Sequence, residues 1–243
     1  MRRQPESWIR RLAALCRGDA APAESWLREP GAGWLWFCVG VVVLASAVYG
    51  ATVGWWQAPR QAPRQAAYAA IKFPVLILAT LFGNGLLNGM LAQVLGVPLT
   101  FRQSLQAILI GFVIATLLLA AFAPVSLFLA CSAPATDRGY SVVLLTHVLA
   151  IAYAGVAANV RLLRLLRAWS GSARLARRVL LAWLAGNLLV GTQVSWIISP
   201  FIGAPDAPVM FVQEHPFRRN FFEYAFERAV RLAQPNNPKE PHE

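Results

Sequence analysis

Long apolar runs separated by short basic or proline-rich stretches dominate the chain. A helix rises about 1.5 Å per residue, so crossing about 30 Å of hydrocarbon takes about 20 apolar residues. Five stretches meet that length, at about residues 34–53, 73–95, 105–130, 140–160 and 179–198. The first is flanked by Trp34 and Trp36 at one end and Trp55 and Trp56 at the other, where indole rings favour the membrane interface. Asn84, Asn88 and Gln93 interrupt the second, so its polar side is expected to face protein rather than lipid. The alternative for that segment is a re-entrant loop, which reduces the crossings to four. Pro124 is expected to kink or end the third run and Pro200 to close the fifth, because proline lacks the helix-forming N–H. The pattern predicts an all-α membrane protein, a bundle of about five transmembrane helices.

Both ends of the chain predict interfacial helices. In the N-terminal segment 1–33, Trp8, Ile9, Leu12, Leu15 and Cys16 fall on one helical arc over residues 6–17, with Arg10 and Arg17 opposite. After the bundle, residues 34–199, comes an exit loop and amphipathic helix over 200–234. Asn220 and Glu223 have the spacing of a reciprocal helix cap there, ahead of an arc of Phe221, Phe222, Phe226 and Val230. Residues 235–243, with three prolines and several charges, are expected to be disordered. The tandem Gln57-Ala-Pro-Arg60 and Gln61-Ala-Pro-Arg64 reads as an extended linker.

Composition sharpens this picture. Of 243 residues, 57% are hydrophobic and only 14% charged, against roughly 25% charged in a soluble domain. No acid occurs between Glu29 and Asp137, or between Asp137 and Asp206. The net charge of +11 lies in the segments between and beyond the apolar runs, where it sets topology and meets anionic lipid; nucleic acid is not an expected partner. With the N-terminus inside and five crossings, thirteen basic residues fall inside and nine outside. Arg161, Arg164, Arg167, Arg174, Arg177 and Arg178 around Ser170-Gly-Ser172 are the strongest cytoplasmic signature, and the basic C-terminal segment opposes the bias. The expected location is the cytoplasmic membrane of a bacterium, with the first run acting as an uncleaved anchor and the side of the C-terminus open. Cys16, Cys38 and Cys131 form no paired spacing and are expected to pack as small apolar residues.

Candidate chemistry is sparse. Asn84 and Asn88 share a helix face and, with His147, Asn187 and Gln193, form an intramembrane polar set. Its expected role is interhelical hydrogen bonding; the alternative is a polar pathway or ligand site. A lone His147 is expected to be a satisfied core imidazole, since metal ligation needs three or four donors. Small residues four apart, at Gly85 and Gly89, Ala154 and Ala158, and Ala182 and Gly186, predict close helix packing. There is no HExxH, GxSxG, P-loop or GxGxxG pattern, and no cofactor is expected.

The most distinctive stretch runs from Trp196 through Pro200, Phe201, Gly203 and Pro205, where prolines and a glycine impose a defined turn at the exit of the last run. With the helix that Asn220 and Glu223 begin, it reads as a cap over one end of the bundle. This Trp-x-x-x-Pro-Phe-Ile-Gly-x-Pro signature, with Lys72-Phe-Pro74 and Ala123-Pro124, resembles an uncharacterised family of bacterial polytopic inner-membrane proteins, itself distantly similar to the Yip-domain superfamily. The resemblance implies a compact bundle that acts by binding partners in the membrane, without catalytic residues. The expectation is a non-enzymatic membrane protein acting in assembly or interaction, with lipids and a protein partner or homo-oligomer as its contacts. A small transporter or channel component using the polar set is the alternative.

Overall fold

The apolar runs fold into helices that are longer than the runs themselves. The computed structural model describes residues 8–17, 31–56, 62–97, 100–134, 136–203 and 209–212. Among these are α1 (Trp8–Arg17), α2 (Ala32–Gly54), α3 (Ala62–Val94), α4 (Phe101–Ser132), α5 (Asp137–Ser170) and α6 (Ala173–Ile198), and no strand. Five of them, α2 to α6, are long and apolar enough to cross a membrane. The protein is a multi-pass, all-α membrane bundle.

Local chemistry explains the extra length. Thr100 opens α4 with a reciprocal cap: Gln103 N–H donates to the Thr100 hydroxyl at 3.3 Å, and Thr100 N–H donates to Gln103 Oε1 at 3.0 Å. The arginine-rich stretch expected between the last two spans is helical, because arginine is a strong helix former. Its turn shrinks to Gly171, left-handed at φ 63°, and Ser172, whose hydroxyl accepts from Leu175 N–H. The expected linker is likewise shorter. Its second half is already the start of α3, with Pro63 in the first turn where a missing N–H costs nothing. Helix α3 therefore holds the expected 73–95 run up to Val94 and extends it backward to Ala62, so that Lys72, just before that run, lies inside the helix. Neither Pro74 nor Pro124 ends its helix. Each removes one ladder hydrogen bond, a loss that packed neighbours tolerate in membrane helices.

Consecutive spans run antiparallel, and the order around the bundle is α6, α3, α2, α4, α5, with α5 returning to α6. At one end, here the cap end, α2 stops, α3 starts and α6 stops. The opposite, basic end carries the Gly171 turn. There α1 lies against the start of α2: Trp8 covers Gly33 and stands 5.3 Å from the Phe37 ring, while the Arg161 guanidinium donates to the Cys16 carbonyl at 2.6 Å. Burial pushes the Cys16 thiol pKa up, against the pull of Arg161 and Arg17. All three cysteines are free.

The tightest crossing is one the sequence reading did not single out. A Cβ on Gly50 would lie 2.5 Å from the Ala69 carbonyl and one on Gly54 2.5 Å from the Gln65 carbonyl, so α2 and α3 touch backbone to backbone. Gly85 and Gly89 face Leu105 and Phe101 of α4 in the same chain, so their closeness is used inside the bundle. Ala154 and Ala158 are buried, and Gly186 faces Asn84 and Asn88. Of the flanking tryptophans, Trp34 and Trp56 are buried in the bundle while Trp36 and Trp55 face outward.

Candidate functional site

Two polar regions carried by α3 hold the buried lysine and two fully buried asparagines. The first is a cap. Gln65, Tyr68 and Lys72 are spaced to share one face of α3, and that face meets the chain where it leaves α6. Lys72 is 1% exposed, and its ammonium donates to the Pro200 carbonyl at 2.6 Å and the Met210 carbonyl at 3.5 Å. The Phe211 and Phe201 rings lie 5.3 and 5.9 Å from Nζ, within cation–π reach. Gln65 Nε2 donates to the Pro200 and Phe201 carbonyls at 3.3 and 3.0 Å. Edge-on rings close the joint: Phe73 against Phe201, and Tyr68 against Phe211. A buried ammonium in a span costs about 2.5–3.5 kcal/mol on insertion scales, which charge-assisted bonds to two carbonyls offset.

The exit motif is thereby fixed in place. Ser199 caps α6 by donating its N–H and hydroxyl to the Trp196 carbonyl, and the following Ser199–Pro200 peptide bond is cis. Ile202 and Gly203 are buried. Trp196, Pro200, Phe201 and Gly203 therefore join one capped end, while Pro205, Asn220 and Glu223, with the expected C-terminal helix and tail, lie outside the described residues.

Behind the cap, Tyr49 of α2 and His147 of α5 meet, with Oη and Nδ1 2.9 Å apart, and Phe73 packs edge-on to the same tyrosine. The imidazole expected to be satisfied is half so: Nε2 is buried with no partner among the described residues.

The second region is nearer the basic end. Asn84 and Asn88, both fully buried, face Gly186 of α6; a Cβ there would lie 3.2 and 3.7 Å from their Oδ1 atoms. Trp183 Nε1 donates to the Asn88 backbone carbonyl at 2.8 Å, pinning α6 to α3 at this level. The expected interhelical bonds from the amides are not made. Asn84 Nδ2 turns back to the Thr80 carbonyl of its own helix, and Asn84 Oδ1, both amide atoms of Asn88 and Asn187 Oδ1 have no partner among the described residues.

The five-residue polar set thus does not assemble as one unit. Asn84 and Asn88 lie at the α3–α6 contact, His147 belongs with Tyr49, and Asn187 and Gln193 are half-buried on α6. Among the described residues, no three His, Cys, Asp or Glu side chains gather as metal ligands. Of Lys72, Gln65 and Tyr49, the sequence reading named only the first, within Lys72-Phe-Pro74, and gave none of them a place in a site. The signal for the first two was present in their spacing, once α3 is extended back through Pro63.

No family profile, characterised protein or solved structure matches the chain.

Proposed function

We propose that this chain is a non-enzymatic multi-pass membrane protein that works by interaction, presenting its capped end to a protein partner. One observation carries the reading: a lysine is buried in a span, with no acidic counterpart among the described residues, and its ammonium donates to two backbone carbonyls of the exit segment. A loop that merely returns the chain to water needs no such anchor. Fixing it in one geometry lowers the ordering cost of whatever docks on it, and Phe211, 42% exposed beside Lys72, offers a ring to a partner. Partner binding also agrees with the resemblance to the Yip-domain superfamily, and a bacterial inner membrane with the N-terminus inside agrees with the arginine bias.

Tagged protein isolated in mild detergent at native expression, followed by mass spectrometry, tests this. A stoichiometric partner is expected, and it should be lost from Lys72→Met and Phe211→Ala. Isolation of the wild type alone, or a partner retained by both variants, would overturn the reading. A second reading, a small transporter or channel component, is favoured by the unpaired amides at α3–α6. It predicts solute flux in proteoliposomes that Asn84→Ala with Asn88→Ala abolishes.

A further inference from the structure

At the basic end of the bundle two helices bring exposed arginines together. Arg164 and Arg167 lie near the end of α5, and Arg174 and Arg178 near the start of α6, all four of them exposed. Arg161 is spent differently, since its guanidinium donates to the Cys16 carbonyl and holds α1. The tight turn at Gly171 sends α6 back along α5, so residues equally far from it in sequence lie at similar depth. Arg164 and Arg178 are each seven residues from Gly171, about 10 Å along their helices. No acid occurs between Asp137 and Asp206, and the first turn of α6, where the helix dipole already disfavours positive charge, holds none. This stretch of sequence brings a concentrated positive charge without a counter-charge of its own.

The residues beneath the arginines decide which kind of anion fits. The uncharged run of α5 ends at Val160 and that of α6 begins at Val179, so the arginines start where hydrocarbon gives way to the phosphate level of the bilayer. Along α5, Val160, Arg164 and Arg167 follow one another at helical steps of four and three, and all are exposed; along α6, Arg174, Arg178 and Leu181 do the same. Each helix thus turns one outward stripe to the membrane, apolar below and cationic above. Of the neighbouring spans, α5 and α6 also share the least contact, and their outer faces lie side by side, open to lipid. A soluble anion would use the arginines alone, whereas a phospholipid uses the whole stripe.

We infer that the α5–α6 turn binds an anionic glycerophospholipid. Its phosphate oxygens accept from the guanidinium groups of Arg164, Arg167, Arg174 and Arg178, and its acyl chains lie along Val160 and Leu181. The test uses the full chain in phosphatidylcholine nanodiscs carrying a trace of phosphatidylglycerol with a photoactivatable acyl chain. Labelling is expected to concentrate on residues 153–160 and 181–188. Unlabelled phosphatidylglycerol should displace it, while water-soluble glycerophosphate at the same concentration should not. Arg164→Gln with Arg178→Gln should cut this labelling about tenfold or more, and Arg167→Gln with Arg174→Gln should do so independently. Arg138→Gln, which removes an exposed arginine from the far end of α5, should leave it unchanged. Labelling spread evenly over the lipid-facing helices, labelling retained by both double variants, or an equal loss in Arg138→Gln would overturn the inference. Displacement by glycerophosphate would overturn it too, by assigning the patch to a soluble anion.

Discussion

The two polar regions of α3 sit on the same helix, twelve residues apart between Lys72 and Asn84, about 18 Å along its axis, and they differ in what their polar groups reach: the first bonds a distant segment of the chain, the second bonds no side chain of a neighbouring helix among the described residues. At the cap end, a costly ammonium and Gln65 Nε2 are paired with the carbonyls of the exit segment and Tyr49 meets His147, while Gln65 Oε1 and His147 Nε2 have no partner among the described residues. Toward the basic end, Asn84 bonds only its own helix, and its Oδ1 and both amide atoms of Asn88 have no partner among the described residues. Polar groups on the outer face give the scale: Thr146, Asn159 and Thr192 bond back to the carbonyls at Val142, Gly155 and Leu188 of their own helices. Self-satisfaction was open to α3 too, and Asn84 Nδ2 uses it. The difference separates polar groups that tie distant parts of the chain together from buried amides that form no such tie among the described residues.

Substitutions should therefore change stability with opposite signs in the two regions. The largest effect is expected from Lys72→Ala, which leaves two carbonyls unpaired and a void among Phe73, Phe201 and Phe211. A loss of about 2–4 kcal/mol is expected in thermal or denaturant unfolding in detergent. Asn88→Leu should go the other way, raising stability by about 1–3 kcal/mol because an apolar side chain of similar volume replaces an unpaired buried amide. Tyr49→Phe removes one buried hydrogen bond to His147 and should cost about 1 kcal/mol. Thr192→Val, on the outer face of α6, should fall within about 0.5 kcal/mol of wild type. If Asn88→Leu proved as harmful as Lys72→Ala, the amides would be structural and the contrast between the regions would be lost.

The helices were legible in the sequence because hydrocarbon thickness sets a length that few other structures imitate, and the five apolar runs carry it openly. Their ends were not, since arginine and proline can sit in either a loop or a first helical turn. Residues 161–170 and 62–72 were read as connection where local caps and helix propensity extend α5 and α3. That boundary hid the role of Lys72, which was noted only in the Lys72-Phe-Pro74 motif, although its spacing from Gln65 places both on one face. The exit motif around Pro200 was visible from composition alone, but its receptor lay some 130 residues away in sequence, beyond any local pattern. Asn84 and Asn88 were recognised as interior. Their lack of partners depends on Gly186 standing opposite, and no single-helix reading contains that. The Gly50 and Gly54 crossing was overlooked because it lies in the most uniformly apolar run, where glycine looks like filler.

Hydrogen–deuterium exchange over residues 200–203 and 209–212, compared in the wild type, Lys72→Met and Asn88→Leu, tests the central claim most directly. The segment should be protected in the wild type, exchange faster in Lys72→Met as the cap lifts, and stay protected in Asn88→Leu. Exchange of this segment that is already fast in the wild type, or unchanged by Lys72→Met, would contradict a lysine-anchored cap.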